Sequence, residues 1–454
     1  MLDKIARLSE EFEKVLKIIK YYQALVDPSL EIPTEEYIRR QKAVYQALRD
    51  ASFEIGFVFS DEHYCGDVPY LGGNTNISIE QVAGVIGKNG FHIIAGLEGG
   101  YVAEQLAHRA NAKVHKVELL QLADEKYPIT AERLEDVIEI ASGKKISEIK
   151  KIALLTPKQV IPAAITEYLY DLFGKSKVVN AQDLYYRIKY EKSDIEMQLI
   201  RQACIIADAM MRGMLAVLKP GMLETEVAAW AYFIGKELGS EENGFKVMVG
   251  ANEANRTLIG EALNRPINEF DYVHLGVAPK RDGLNSCIRR SVIVTDQELT
   301  DDQKYWFNFI EEAYKVGYNA FVEIAEKNLP AKLQEQALVD FFKSKSKEVS
   351  QRIGIKIDLE KLKPYTGTHN SGYTECQEFY GAITLDSDQP LGNQIVMMLD
   401  VALRGIGDYW DDLILPDLDF IVIENTLGKF GKRVKTLTKL PLSCQPLVGN
   451  VDEL

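Results

Sequence analysis

From about residue 35 to residue 190 the chain alternates helical patterns with short, wholly apolar runs. That alternation limits the fold more than any other feature. RRQKAVYQALRDAS spaces its apolar residues as a helix does, and FEIGFVFS is a buried strand. FHIIAG is a second strand, followed by the helical YVAEQLAHRANA; ISEIKKIALLTP and IPAAITEYLYDLFG repeat the theme. Apolar runs separated by helices imply strands covered on both faces, hence an α/β unit with a parallel or mixed sheet. GLEGG at 96–100 follows a strand but lacks the G-x-G-x-x-G spacing, so it reads as a strand-to-helix turn and not a dinucleotide loop. Residues 1–34 hold a helix with apolar positions at Leu2, Ile5, Leu8, Phe12, Val15, Ile19 and Tyr22, read as packing on its own domain.

The character changes near residue 190. Ser193, three residues before Glu196, forms the capping-box pattern S-D-I-E and predicts a long helix through IEMQLIRQACIIADAMMRGMLAVL, stopped by Lys219-Pro220-Gly221. A second helix, ETEVAAWAYFIGKELG, precedes strands with glycine turns: FKVMVG, DYVHLGVAP and CIRRSVIV, the last after a turn at Asp282-Gly283. Helices return over 301–350, and strands and turns fill the remainder. The reading divides the chain into an N-terminal helix (1–34), an α/β domain (35–190) and an α+β domain (191–454).

Bulk properties narrow the function. At 454 residues with 46% apolar content the chain builds large cores. A net charge of −14 disfavours a nucleic-acid partner. The five cysteines, Cys65, Cys204, Cys287, Cys376 and Cys444, show no CxxC spacing, which points to a reducing compartment. No apolar stretch is long enough for a signal core or a membrane span, so cytoplasm is the expected location.

EKSDIEMQLIRQACIIADAMM, LKPGMLETEVAA, VMVGANEAN, NRPINEFDYVHLGVAPKRDGLNSCIRRSVIV, GTHNSGY, IVMMLDVALRG and GDYWDDLILPD occur in an order that resembles the pita-bread metallopeptidase family of Xaa-Pro aminopeptidases, prolidases, creatinase and methionine aminopeptidases. YIRRQKAVYQALRDASFEIGFVFSDEHYCGDVPYLGG is similar to the start of the creatinase-type N-terminal domain, so the resemblance covers about residues 35–430. It implies a creatinase-type α/β domain followed by an α+β pita-bread domain, and a homodimer acting on X-Pro peptides.

The family holds two divalent metals with two aspartates, a histidine and two glutamates, since carboxylates bridge cations while cancelling their charge. Carried over residue by residue, the two aspartate positions, anchored on Asp282-Gly283, fall on Gly276 and Cys287. The histidine position is His369, and the two glutamate positions fall on Asp400 and Asp411. The substrate-loop histidine falls near Thr257, and the downstream histidine-glutamate pair near Cys376 and Gln377, with Glu375 and Glu378 close by. A slipped register using Asp271 and Asp282 breaks the turn match. His274 shares a strand face with Gly276 and either points toward the pocket or is a hydrogen-bonded histidine of the packed sheet.

A standard dinuclear site is therefore not expected. Cys287, His369, Asp400 and Asp411 remain as a possible single-metal set for zinc or manganese, with no metal the alternative. Read as ordinary structure, Cys287 plugs a core strand. Asp400 and Asp411 then pair with Arg289, Arg290 or Arg404, since facing carboxylates without metal repel one another. Arg290 matches the arginine of the family's D-x-T-R-T run, and Arg289 precedes it. His369, Glu375 and Glu378 are candidate catalytic groups; Gly276, Arg290, Tyr373 and Trp410 are candidate pocket residues, with Tyr70, Trp230 and Tyr409 as further aromatics. Three functions follow: a protein that lost its dinuclear site and keeps a pocket for a peptide or small molecule, an active X-Pro metallopeptidase with a rebuilt single-metal site, or an acidic protein-interaction module. Creatinase chemistry, which works through histidine without metal, lacks its downstream histidine here.

Overall fold

The Ser193 hydroxyl accepts the Glu196 amide at 3.4 Å, and the Glu196 carboxylate accepts the Ser193 amide at 2.7 Å. S-D-I-E thus closes as a capping box and starts the helix Asp194–Val217. In this computed structural model, which describes residues 2–122, 131–375, 378–416 and 418–451, that helix ends just ahead of Lys219-Pro220-Gly221, with Gly221 at φ +87°. Cys376 and Gln377 lie outside the described residues.

The chain divides into two compact units. The larger holds Met1–Leu30, Lys192–Ser371 and Gly381–Leu454; the smaller holds Glu31–Glu191 and Gly372–Tyr380. The N-terminal helix, Leu2–Gln23, is part of the larger unit and not a segment of its own. Its Val15, Ile18 and Ile19 enter the core with the helices Asp194–Val217 and Glu224–Glu237, and Glu11 accepts the Trp230 indole N–H at 2.9 Å.

The smaller unit folds around a mixed six-stranded sheet. Its strands are β1 (Ile55–Ser60), β2 (Val82–Gly87), β3 (Gly90–Ala95), β4 (Lys113–Lys116), β5 (Ile152–Leu154) and β6 (Val178–Asn180), in the order β4-β3-β2-β1-β5-β6. β1 is buried at every position, as the unbroken apolar run demands.

The larger unit carries a seven-stranded antiparallel sheet. β7 (Met248–Ala251), β8 (Tyr272–Val277) and β11 (Ile288–Ile293) join β12 (Thr368–Asn370), β13 (Gln394–Arg404), β14 (Phe420–Phe430) and β15 (Arg433–Thr436). The order is β12-β13-β14-β11-β8-β7, with β15 paired to β14. Between β8 and β11 lies a small ribbon, β9 (Lys280–Arg281) and β10 (Leu284–Asn285), turned by Asp282 and Gly283 at φ +47° and +79°. Two successive positive φ values are the signature of the tight hairpin turn that Asp-Gly favours.

One face of the sheet is apolar: Val273, Leu275, Val277, Ile288 and Val292 join the helical core. The helix Asp301–Lys327 lies against β13, where a Cβ on Gly317 would stand 3.2 Å from Leu399 Cδ1. The alternate residues face the other way and build the site. Removing the cap by Ser193→Ala is expected to destabilise the larger unit by about 1 kcal/mol, read by urea unfolding; no loss would mean that tertiary packing alone fixes the helix start.

Candidate functional site

Residues directly opposite on neighbouring strands share a face. Gly276 of β8 lies opposite Arg289 of β11, Arg289 opposite Glu424 of β14, and Glu424 opposite Asp400 of β13. His369 of β12 lies opposite Met398, two residues from Asp400 and on its face. The strand register therefore lines up Gly276, Arg289, Glu424 and Asp400 in one row, with His369 beside it.

Arg289 is the centre of this row. Its Nη1 donates to Asp400 Oδ2 at 3.1 Å and to the Tyr365 hydroxyl at 3.2 Å, and that hydroxyl donates to Asp400 Oδ1 at 3.1 Å. Nη2 donates to the Leu258 carbonyl, and Nε lies 3.9 Å from Glu424 Oε2. His369 Nε2 is 3.5 Å from Glu424 Oε1, while its Nδ1 donates to the Asn370 carbonyl at 3.1 Å. Arg289, Asp400 and Glu424 are all buried.

The electrostatics are lopsided. Burial, reinforced by the charge of Glu424, pushes Asp400 up to about 6 against the pull of Arg289, His369 and the Tyr365 hydrogen bond. For Glu424 burial also opposes ionisation, but the His369 hydrogen bond and charge, Arg289 and a hydrogen bond with the Cys287 thiol together hold it below the ordinary glutamate range. Glu424 thus holds its negative charge, and Asp400 adds a second as pH rises past about 6. Burial works against the charge of Arg289, yet Tyr365, Asp400 and Glu424 raise its affinity for the proton, so the guanidinium stays charged.

The dinuclear centre does not fit these residues. A Cβ on Gly276 would meet Arg289 Cγ at 3.1 Å and Met248 Sδ at 3.2 Å, so a side chain there needs Arg289 and Met248 to give way by a few tenths of an ångström. The guanidinium lies against the two carboxylates that such ions would need, and bringing divalent ions beside a buried cation is costly. Cys287 is fully buried; its amide donates to Thr426 Oγ1 at 2.9 Å. Within the larger unit a smaller donor set remains: ligand atoms of His369, Asp400 and Glu424 all lie within 4.8 Å of one another.

Several expected site residues are elsewhere. Asp411 is exposed in the connection between β13 and β14, and the carboxylate beside Asp400 is Glu424. Arg290 points to the opposite face, because successive strand residues alternate; it donates to the carbonyls of Pro441 and Glu424 and to Asn425 Oδ1, which makes it a clamp on the C-terminal segment. Trp410 is exposed outside the row, with Tyr409 beside it. Tyr373, Glu375 and Glu378 belong to the smaller unit. There Tyr373 accepts Arg40 Nη1 at 2.8 Å beneath Tyr70, and Glu378 shares Lys189 with Asp67, at 3.2 and 2.8 Å. His274 Nδ1 donates to Asn255 Oδ1 at 2.9 Å, and burial followed by the charge of Arg289 lowers its pKa to about 3, so it is neutral. Thr257 caps its own turn through Ala254 and Gly260. Asp271 accepts the Asn268 amide just ahead of β8, and the amide of Asp282 donates to Glu241 beyond its far end, so the two do not form a site. Glu424, absent from the predicted set, has one signal in the sequence: it is the lone carboxylate inside the apolar strand FIVIENTLGKF.

These strands and this row of positions define a pita-bread architecture. A sequence model of metallopeptidase family M24 matches residues 198–373. The Xaa-Pro dipeptidase of Pyrococcus horikoshii is 26% identical over 237 residues, which are 52% of this chain and 64% of that protein. The Xaa-Pro dipeptidase of Pyrococcus furiosus is 24% identical over 202 residues, 44% of this chain and 56% of that protein. Both alignments thus span less than two thirds of the relative's length. The solved prolidase of Pyrococcus horikoshii superposes with a TM-score of 0.67 at 17% identity, covering 89% of this chain and 99% of the other. The X-Pro aminopeptidase of Thermotoga maritima gives a TM-score of 0.67 at 18% identity, covering 89% and 98%. Over residues 198–373 the chain is similar to metallopeptidase family M24, and it shares the fold of these solved peptidases. Among the described residues no helix is long and apolar enough to cross a membrane.

Arg289→Met tests the row. Without the guanidinium the two carboxylates face each other, and Asp400 holds its proton to still higher pH. A raised carboxylate pKa favours the fold only where the proton is bound, so its contribution is full at low pH and lost as pH rises through the folded value. The expected loss of stability is about 3–5 kcal/mol at pH 8 and smaller at pH 5. Denaturant unfolding at both pH values reads it; an equal loss at both would make Arg289 a packing residue only.

Proposed function

We propose that this chain is an Xaa-Pro-dipeptidase-like protein in which an arginine has replaced the dinuclear centre, and that its site binds a peptide terminus or a small amino compound without hydrolysing it. The observation that carries this reading is Arg289 against Asp400 at 3.1 Å with Glu424 beside it. Metal-assisted hydrolysis draws its nucleophile from a water acidified by cations. A guanidinium brings charge but no open coordination position, so it cannot hold that water as hydroxide. Binding asks less of the site. A carboxylate pair opposed by a single guanidinium favours an ammonium group, and His369, with 17% of its side chain exposed, is the member that reaches solvent. The family resemblance supports a homodimer, and the cysteine usage supports a cytoplasmic setting.

A second reading rests on the His369–Asp400–Glu424 donor set. One zinc or manganese ion there, at the expense of the Arg289–Asp400 contact, makes a mononuclear peptidase for X-Pro peptides.

Protein produced in medium supplemented with manganese, cobalt and zinc separates the two. Elemental analysis is expected to find no stoichiometric metal, and Ala-Pro and Gly-Pro dipeptides are expected to stay intact with each ion added. One ion per chain, lost in His369→Ala and Glu424→Gln, would carry the second reading. Two ions per chain with hydrolysis would overturn both.

A further inference from the structure

The long connection between β13 and β14 supplies a surface that the buried row does not use. Residues 405–419, GIGDYWDDLILPDLD, contain five aspartates and no lysine or arginine. Asp408, Asp411 and Asp412 are exposed, and so are Tyr409 at 79% and Trp410 at 44%. Beside them runs a groove of about 380 Å³ walled by Phe270, Tyr272, Leu413 and Leu418, with Asp271 and Asp419 among its polar groups. Phe270 and Leu413 are 47% and 48% exposed.

The groove already shows which chemistry it recognises. The guanidinium of Arg256 pairs with Asp419 at 2.8 Å, donates to the Trp410 carbonyl at 3.0 Å and lies 5.7 Å from the Trp410 ring centroid. Carboxylate plus aromatic face is the combination that holds a cationic side chain. Arg256 is paired with Asp419, and Arg404 lies 3.8 Å from Asp408, while Asp411 and Asp412 are exposed beside them. A nucleic acid is disfavoured by charge, and a second copy meeting this surface through the same acidic rim would set aspartates against aspartates. Large exposed aromatic and aliphatic side chains next to a groove mark a contact surface more often than they mark a solvated loop.

We propose that this groove and its acidic, aromatic rim form a docking site for an extended basic peptide segment. Its lysine or arginine side chains would meet Asp408, Asp411, Asp412 and the Trp410 ring, with an apolar residue between them entering the groove against Phe270 and Leu413. The proposal does not depend on what the buried Arg289 site does, because none of its residues belongs to that row.

The probe is a fluorescein-labelled ten-residue peptide of alternating basic and small residues with two leucines, compared with the same peptide carrying glutamate at each basic position. Fluorescence anisotropy on the full chain is expected to show saturable, salt-sensitive binding of the basic peptide and none of the acidic one. Tyr409→Ala with Trp410→Ala, and separately Asp411→Asn with Asp412→Asn, are each expected to weaken binding roughly tenfold. All four positions are exposed, and unchanged circular dichroism verifies that the variants fold. Binding that is equal in wild type and both variants, binding of the acidic peptide, or no saturable binding near physiological salt would each overturn the proposal. So would sedimentation showing a dimer that the aromatic variant splits and the peptide does not, which would make the surface a self-contact.

Discussion

Two carboxylates placed opposite each other inside a sheet need a cation, and the choice of Arg289 shapes everything around it. Asp400 and Glu424 sit side by side on β13 and β14, buried, where repulsion is only weakly screened. A metal ion satisfies such a pair by coordination. A guanidinium does so by donating hydrogen bonds in a fixed plane, and its remaining donors then need acceptors of their own. The Tyr365 hydroxyl and the Leu258 carbonyl supply them. The second contact is made by a strained residue: Leu258 sits at φ +64°, ψ −50°, outside the regions a branched side chain prefers. Its side chain packs with Tyr365 on Ala402, Phe420 and Val422. Gly276 completes the set, since a side chain there would contest the space of Arg289.

Strand alternation gives the two adjacent arginines opposite duties. Arg289 faces the carboxylates, and Arg290 faces the helical side, where it gathers the Glu424 and Pro441 carbonyls and the Asn425 side chain. β11 is thus fixed on both faces by charge-assisted hydrogen bonds, one set holding the site and the other the C-terminal segment. A single-residue slip of β11 would exchange the two, placing a guanidinium in each wrong environment, so the register is strongly specified.

Features set by local chemistry were legible in the sequence. Ser193 and Glu196 cap a helix wherever they stand three apart at its start, and Asp282-Gly283 turns a hairpin because of its own backbone preferences. What depended on pairing between distant strands was not. Glu424 becomes the partner of Asp400 only through the β13–β14 register, and the fifteen residues 405–419 separate the two strands; counting along the chain therefore lands on Asp411, in the connection itself. Tyr373 and Glu378 lie within ten residues of His369 in sequence, yet their short segment belongs to the smaller unit through Arg40 and Lys189, residues more than 180 positions away.

The same connection explains why the surface and the buried row are not independent pieces of chain. Arg256 is tied to Asp419 and to the Trp410 carbonyl, and two residues later the Leu258 carbonyl is held by Arg289. Thr257 stiffens the link by accepting the Gly260 amide and donating to Ala254. The strained conformation of Leu258 persists because it is fixed from both ends, by an ion pair near the surface and by a buried guanidinium. A backbone held this way is over-determined only while both anchors are in place. The ion pair is the weaker of the two, being nearer to solvent and more strongly screened, so the surface end sets how firmly the loop is held over the carboxylates.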